Sequence, residues 1–150
     1  MGGEYKIKVY VPANPDYVSH SIVNYQNSYR EDTPSIEVTA TTLEALLAKY
    51  QLMTLPLIKL DIEGAELAVI RQMLEKSIHP RQLLAEFDEM NFPSGRSKKN
   101  VEETDGILRQ AGYICRYFDG KANFLYVAQD TFPAYRQFSA EASSTATAPQ

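Results

Sequence analysis

A single cysteine, Cys115, stands in the 150 residues, so no internal disulfide framework can form. Its neighbours Ile114 and Tyr117 predict a strand, where a free cysteine acts as a small buried hydrophobe rather than a nucleophile. No apolar run approaches the roughly 20 residues of a membrane-spanning helix. The N-terminal Met1-Gly2-Gly3-Glu4-Tyr5 lacks the charged-then-apolar order of a signal peptide, and these features together predict a reduced, cytoplasmic protein. Basic residues are outnumbered, 15 against 19 acidic ones, for a net charge of −4. Only Arg96, Lys98 and Lys99 lie close together, which argues against a nucleic-acid surface. There is no Gly-x-Gly-x-x-Gly, P-loop, His-Glu-x-x-His, zinc-spaced cysteine pair or Gly-x-Ser-x-Gly, so no nucleotide-phosphate, zinc-protease or serine-hydrolase site is read from the chain.

What is present patterns as one α/β domain over residues 1–138. It is followed by a Ser/Thr/Ala-rich tail, 139–150, with too little apolar mass to pack and an expectation of disorder. Tyr5 to Val11 alternates as a strand, and Asn14 to Pro34 is a long loop without period. Ile36 to Ala40 reads as a short strand. Thr41 then caps a helix with the stripe Leu43, Leu46, Leu47 and Tyr50. Leu57-Ile58-Lys59-Leu60-Asp61-Ile62 is a strand expected to be buried on both faces, followed by a helix from Gly64 to Lys76. Gln82 to Asp88 is another strand, Met90 to Lys98 a loop, and Asn100 to Ala111 a helix capped by Asn100 and ended by Gly112. Tyr113–Phe118 and Asn123–Val127 form an antiparallel hairpin around Asp119-Gly120. Strands alternating with helices predict a parallel α/β sheet with an antiparallel far edge, whose ligands sit beyond the carboxyl ends of the strands.

That rule selects two acidic places. At the first, Asp61 and Glu63 end the central strand. Glu66 falls in the middle of the stripe Val69, Ile70 and Met73, where an unpaired carboxylate is costly. Either these acids cap the helix, whose N-terminus favours negative charge, or they face a cavity and hold a ligand. At the second, Glu86, Asp88 and Glu89 cluster ahead of Asn91. If the two strands are neighbours, Asp61 and Glu86 or Asp88 raise each other's pKa and supply a general base. His20, flanked by Ser19 and Ser21 in the long loop, is a further proton-transfer candidate. A rival assembles Asp61, Glu63, Glu86, Asp88 and His20 as a hydrolytic metal site, although no ligand spacing specifies a metal.

The run Pro56-Leu57-Ile58-Lys59-Leu60-Asp61-Ile62-Glu63-Gly64-Ala65-Glu66 resembles the hallmark of FkbM-type methyltransferases. Val38–Leu47, Leu83–Phe87 and Val18–Ile22 are similar to segments flanking that hallmark, and the resemblance runs from about Gly3 to Val127. It implies a Rossmann-like fold, S-adenosylmethionine as donor, and methyl transfer to a hydroxyl of a sugar or secondary metabolite. By the same resemblance Asp61 and His20 would be catalytic, Asp61 and Gly64 would lie against the donor, and Ser21, Glu63, Glu66, Glu86, Asp88 and Asn91 would position the acceptor. The family's glycine-rich donor loop and ribose-holding acid would precede the residues seen here. The sheet would then keep the fourth, fifth, seventh and sixth strands and lack the first three. A truncated gene product, a misplaced start codon or one half of a split enzyme is expected, with strand 57–62 presenting an open edge for strand 5–11, a second copy or a complementing chain to cover. The alternative is a non-catalytic remnant that acts through that edge alone.

Overall fold

A computed structural model describes residues 4–129. The expected tail, 139–150, lies outside them. The chain is a mixed α/β structure with two sheets. Strands β1 (Tyr5–Tyr10) and β2 (Ser35–Ala40) form an antiparallel ribbon of their own, registered Tyr5 to Ala40 and Tyr10 to Ser35. Helix α1 (Leu43–Lys49), strand β3 (Leu57–Leu60), helix α2 (Glu66–Glu75), strand β4 (Gln82–Glu86), helix α3 (Gly95–Gln110) and strands β5 (Tyr113–Phe118) and β6 (Asn123–Ala128) follow. The main sheet is ordered β3-β4-β6-β5. β3 runs parallel to β4, and β6 is antiparallel to both β4 and β5.

Local chemistry places the boundaries. Thr42, not Thr41, caps α1, because its hydroxyl accepts from Ala45 N, three residues on, at 3.1 Å. The cap of α3 lies six residues before the expected one. Ser94, in extended backbone, accepts from Ser97 N at 3.1 Å, so Arg96 to Lys99 are helical. Asn100 therefore lies inside α3, where its carbonyl accepts from the Thr104 hydroxyl at 2.7 Å. Pro93 and Gly95 disguised this start as loop. α2 starts at Glu66 rather than Gly64, since Glu63 (φ 53°) and Gly64 (φ 92°) are both left-handed and cannot continue a helix. β4 ends at Glu86, and Asp88–Asn91 form a 3-10 turn. At the hairpin, the Asp119 carboxylate accepts from the N–H groups of Lys121, Ala122 and Asn123 at 2.8, 3.0 and 3.1 Å.

The three helices lie side by side, α2 touching α1 on one flank and α3 on the other. Leu60, Ile70, Met73, Leu83, Ala85, Phe87, Leu108, Tyr113 and Tyr126 fill the space between helices and sheet. Registers Leu60 to Ala85 and Leu83 to Tyr126 bring these side chains to one face. The opposite face carries Leu57, Lys59, Leu84 and Leu125, none of them buried. The expectation of a β3 buried on both faces is therefore corrected: among the described residues a helical layer covers only one. α1 likewise has no buried residue, and Leu46 and Tyr50 of its stripe remain exposed. The ribbon does not pair with β3, whose outer edge has no strand partner among the described residues. Cys115 is half-buried against the core, and burial pushes its thiol pKa up, so it behaves as a weakly polar filler rather than a thiolate.

Candidate active site

The long loop folds back on the sheet. Tyr10 and Ser21 exchange backbone hydrogen bonds of 2.7 and 3.2 Å, and a 3-10 helix spans Asn24–Asn27. Ser21, buried, donates its hydroxyl to the Glu63 carbonyl and accepts from Val23 N at 3.1 Å. Val23 lies where a side chain on Gly64 would project, with its Cγ2 only 3.0 Å from an ideal Cβ there. The bare Cα of Gly64 is thus used by this chain's own loop.

Glu63 is the meeting point. Its carboxylate accepts from the Tyr25 hydroxyl at 2.6 Å and from Gln26 Nε2 at 3.4 Å. Burial, then the Glu63 carboxylate, push the Tyr25 hydroxyl far above the ordinary phenol range, so it stays a donor. The Tyr25 ring packs against Phe92, centroids 5.4 Å apart. Tyr25 was not singled out from the sequence: it lies 38 residues from its partner in a segment without period. Replacing it with Phe removes the donor and leaves Glu63 to Gln26 and water. We expect a loss of about 1.5–3 kcal/mol, the range for hydrogen bonds to charged groups, measured by chemical denaturation.

The carboxyl ends of β3 and β4 bring the acids together. Atoms of Asp61, Glu63 and Asp88 lie within 4.8 Å of one another. Lys59 is the cation among them, 2.7 Å from Asp61 and 3.8 Å from Glu86. Asp88 accepts from the Asn91 side chain at 3.2 Å. Burial pushes its pKa up to about 6, helped by the fields of Glu63, Glu86 and Asp61. The two acidic places of the sequence thus form one site, as the adjacency of the strands required. Asp16, Tyr17, Tyr25, Glu63, Asp88 and Asn91 line a cleft of about 440 Å³.

Of the nine candidates, Glu63, Asp88 and Asn91 line that cleft; Asp61 and Glu86 are paired with Lys59, Ser21 and Gly64 are taken up in the contact between loop and turn, and His20 and Glu66 sit apart from it. His20 is exposed, with Nδ1 3.3 Å from the Val18 carbonyl, and does not line it. Glu66 is buried and turned into the protein, accepting from Ile62 N and Gly64 N, both at 3.0 Å. Neither Asp61 nor Glu63 caps α2, whose first position follows Ala65 without a side-chain cap. Arg96, expected in a solvated loop, stacks 4.3 Å over the Tyr29 ring and ties the long loop to α3.

A mixed α/β sheet with an acid-lined cleft beyond the carboxyl ends of adjacent parallel strands defines an α/β protein of the kind that takes small ligands at its strand ends. The chain belongs to the FkbM methyltransferase family: the family model described as "Methyltransferase FkbM domain" matches residues 2–115. The match covers the ribbon, the acid cleft and all three helices, and stops within β5. No curated protein and no solved structure gives a significant match. No helix among the described residues is long and apolar enough to cross a membrane.

Proposed function

We propose that this chain carries the acceptor side of an S-adenosylmethionine-dependent O-methyltransferase, with a hydroxyl of a sugar or secondary metabolite bound in the acid cleft. The observation that carries the reading is the convergence of Glu63, Asp88 and Tyr25 at the ends of β3 and β4 in a chain matched by the FkbM family. The strand order β3-β4-β6-β5, with β6 antiparallel, supports it, corresponding to the fourth, fifth, seventh and sixth strands of a Rossmann-like methyltransferase sheet.

The described residues do not fit the donor as a whole. The one glycine at the site, Gly64, is closed off by Val23 and Ser21, and no glycine-rich loop borders the cleft. When bound, the donor supplies an electrophilic methyl group; the work of this chain is on the acceptor. Glu63 and Asn91 accept from and donate to its hydroxyls, the rings of Tyr17 and Phe92 wall it, and Asp88 takes the proton of the reacting hydroxyl. With its pKa near 6, Asp88 is largely ionised at neutral pH and still basic enough to help, which fits it for the task better than exposed His20 or Lys59-paired Asp61. The donor side then docks along the outer edge of β3.

The test joins the chain behind the donor-binding half of an intact family member and follows labelled methyl from S-adenosylmethionine to a panel of hydroxylated acceptors. Transfer is expected in the fusion. Asp88→Asn should lower the rate by roughly 10²-fold, the range for a general base. The chain alone should give no heat of S-adenosylmethionine binding by calorimetry. A fusion that binds the donor yet methylates no hydroxyl overturns the reading.

A further inference from the structure

Between Asp61 and Gly64 the backbone leaves β3 and turns through two consecutive left-handed residues before α2 begins. A turn of this kind directs N–H groups inward that no strand or helix satisfies. Two of them, on Ile62 and Gly64, are taken by one side chain, each 3.0 Å from a different oxygen of Glu66. Glu66 is 1% exposed, on the first turn of α2, and its side chain reaches back toward the strand rather than forward into the helix. From the other side Ser21 holds the Glu63 carbonyl and Val23 closes on Gly64. Of all these contacts, the two to Glu66 are the only ones made by an ionisable group.

We propose that Glu66 is the positioning residue of the acid turn: its carboxylate, by holding the Ile62 and Gly64 N–H groups, sets Glu63 against Tyr25 in the cleft, and loss of its charge releases them. The inference rests on reading that cleft as the acceptor site. A neutral carboxyl keeps one full-strength acceptor oxygen, and its O–H needs an acceptor of its own, so one backbone N–H is left poorly held. The ionisable group that faces Glu66 is Glu89, from the Asp88–Asn91 turn, 4% exposed and bonded by the Asn100 side chain. Lys59, Asp61, Glu86 and Asp88 form the separate network at the strand ends. Among the described residues no Lys, Arg or His forms an ion pair with Glu66 or Glu89. Burial therefore outweighs the two N–H bonds and pushes the Glu66 pKa up to about 7, with Glu89 adding to it. The clamp closes as pH rises through neutrality.

The experiment uses the full chain and two NMR readouts between about pH 5 and about pH 9. One is the ¹³C shift of the Glu66 carboxyl; the other is hydrogen exchange of the Ile62 and Gly64 amides, corrected for intrinsic rates. Protection of the amide that loses its acceptor in the neutral form, Ile62 or Gly64, should rise by about tenfold, the equivalent of one hydrogen bond, with the midpoint of the carboxyl titration. Tyr25 ring and Glu63 amide shifts should move with that same midpoint. Glu66→Gln should show low protection at every pH, because its NH₂ group faces an N–H. Protection independent of pH in the wild type overturns the proposal, as does a Gln variant that keeps the wild-type profile. A response confined to Ile62 and Gly64, with Tyr25 and Glu63 unmoved, overturns the positioning role. If the Gln variant does not fold, coincidence or mismatch of the wild-type midpoints decides. Because the turn and not methyl transfer is observed, failure here is separable from failure of the O-methyltransferase reading.

Discussion

Gly64→Ala should destabilise the chain by about 2–4 kcal/mol, while the same change at Gly106 should stabilise it by about 0.5–1 kcal/mol. At Gly64 two costs add. The backbone φ of 92° lies outside the comfortable region for an L side chain. The new Cβ would also sit 3.0 Å from Val23 Cγ2, 3.1 Å from Val23 Cβ and 3.3 Å from Ser21 Oγ. Relief requires the Ser21–Val23 segment to withdraw, which strips the Ser21 hydroxyl from Glu63. Gly106 lies inside α3, has nothing within 4 Å of its virtual Cβ and carries no positive φ, so alanine there only reduces the freedom of the unfolded chain. Paired urea melts of the two variants provide the measurement. Equal effects, or a neutral Gly64→Ala, would show that the loop does not press on the acid turn.

Stability should peak near about pH 4–5 and decline toward about pH 7, unlike the usual neutral plateau. The sign follows from which state binds protons more tightly. Glu66 has its pKa raised from 4.5 to about 7, so the folded chain keeps a proton that the unfolded chain releases. Its contribution is full below 4.5 and is lost as pH rises through about 7, roughly 3 kcal/mol in all. Asp88, raised from 3.8 to about 6, and Glu89, raised by burial, act in the same direction. Asp119 acts oppositely: the Asn123 side chain and the turn N–H groups lower it from 3.8 to about 2, so its stabilisation fades as pH falls through that window. Denaturant midpoints measured across pH test the balance, and Glu66→Gln should flatten much of the decline. A stability that climbs steadily from about pH 5 to about pH 8 would refute the assignment of a buried, proton-retaining Glu66.

Much of the fold was legible because it is written in local pattern. The run Leu57–Ile62, the stripe Val69, Ile70, Met73 and the second run Gln82–Asp88 describe a strand–helix–strand unit, and Asp119-Gly120 marks the hairpin. Helix starts were less legible, because Thr41 competes with Thr42 as an equally good cap, and Pro93 and Gly95 around Ser94 carry the pattern of a loop. The separation of β1–β2 into its own ribbon left no trace in either strand's alternation, since period reports that a face is covered and not by what. The apolar β3 looked buried on both faces for the same reason.

The candidate site divides along the same line. From the sequence alone came the family, the order of elements and the prediction that Asp61, Glu63, Glu86 and Asp88 gather at strand ends, all consequences of short-range spacing and the direction of the strands. Tertiary structure decided what each acid does. It gave Glu63 to Tyr25, Asp61 to Lys59, left Asp88 half-buried among like charges and turned Glu66 inward onto the backbone. Those outcomes depend on burial and on partners tens of residues away, and the free energy of a charge is set by the medium and the dipoles around it rather than by its neighbours in the chain.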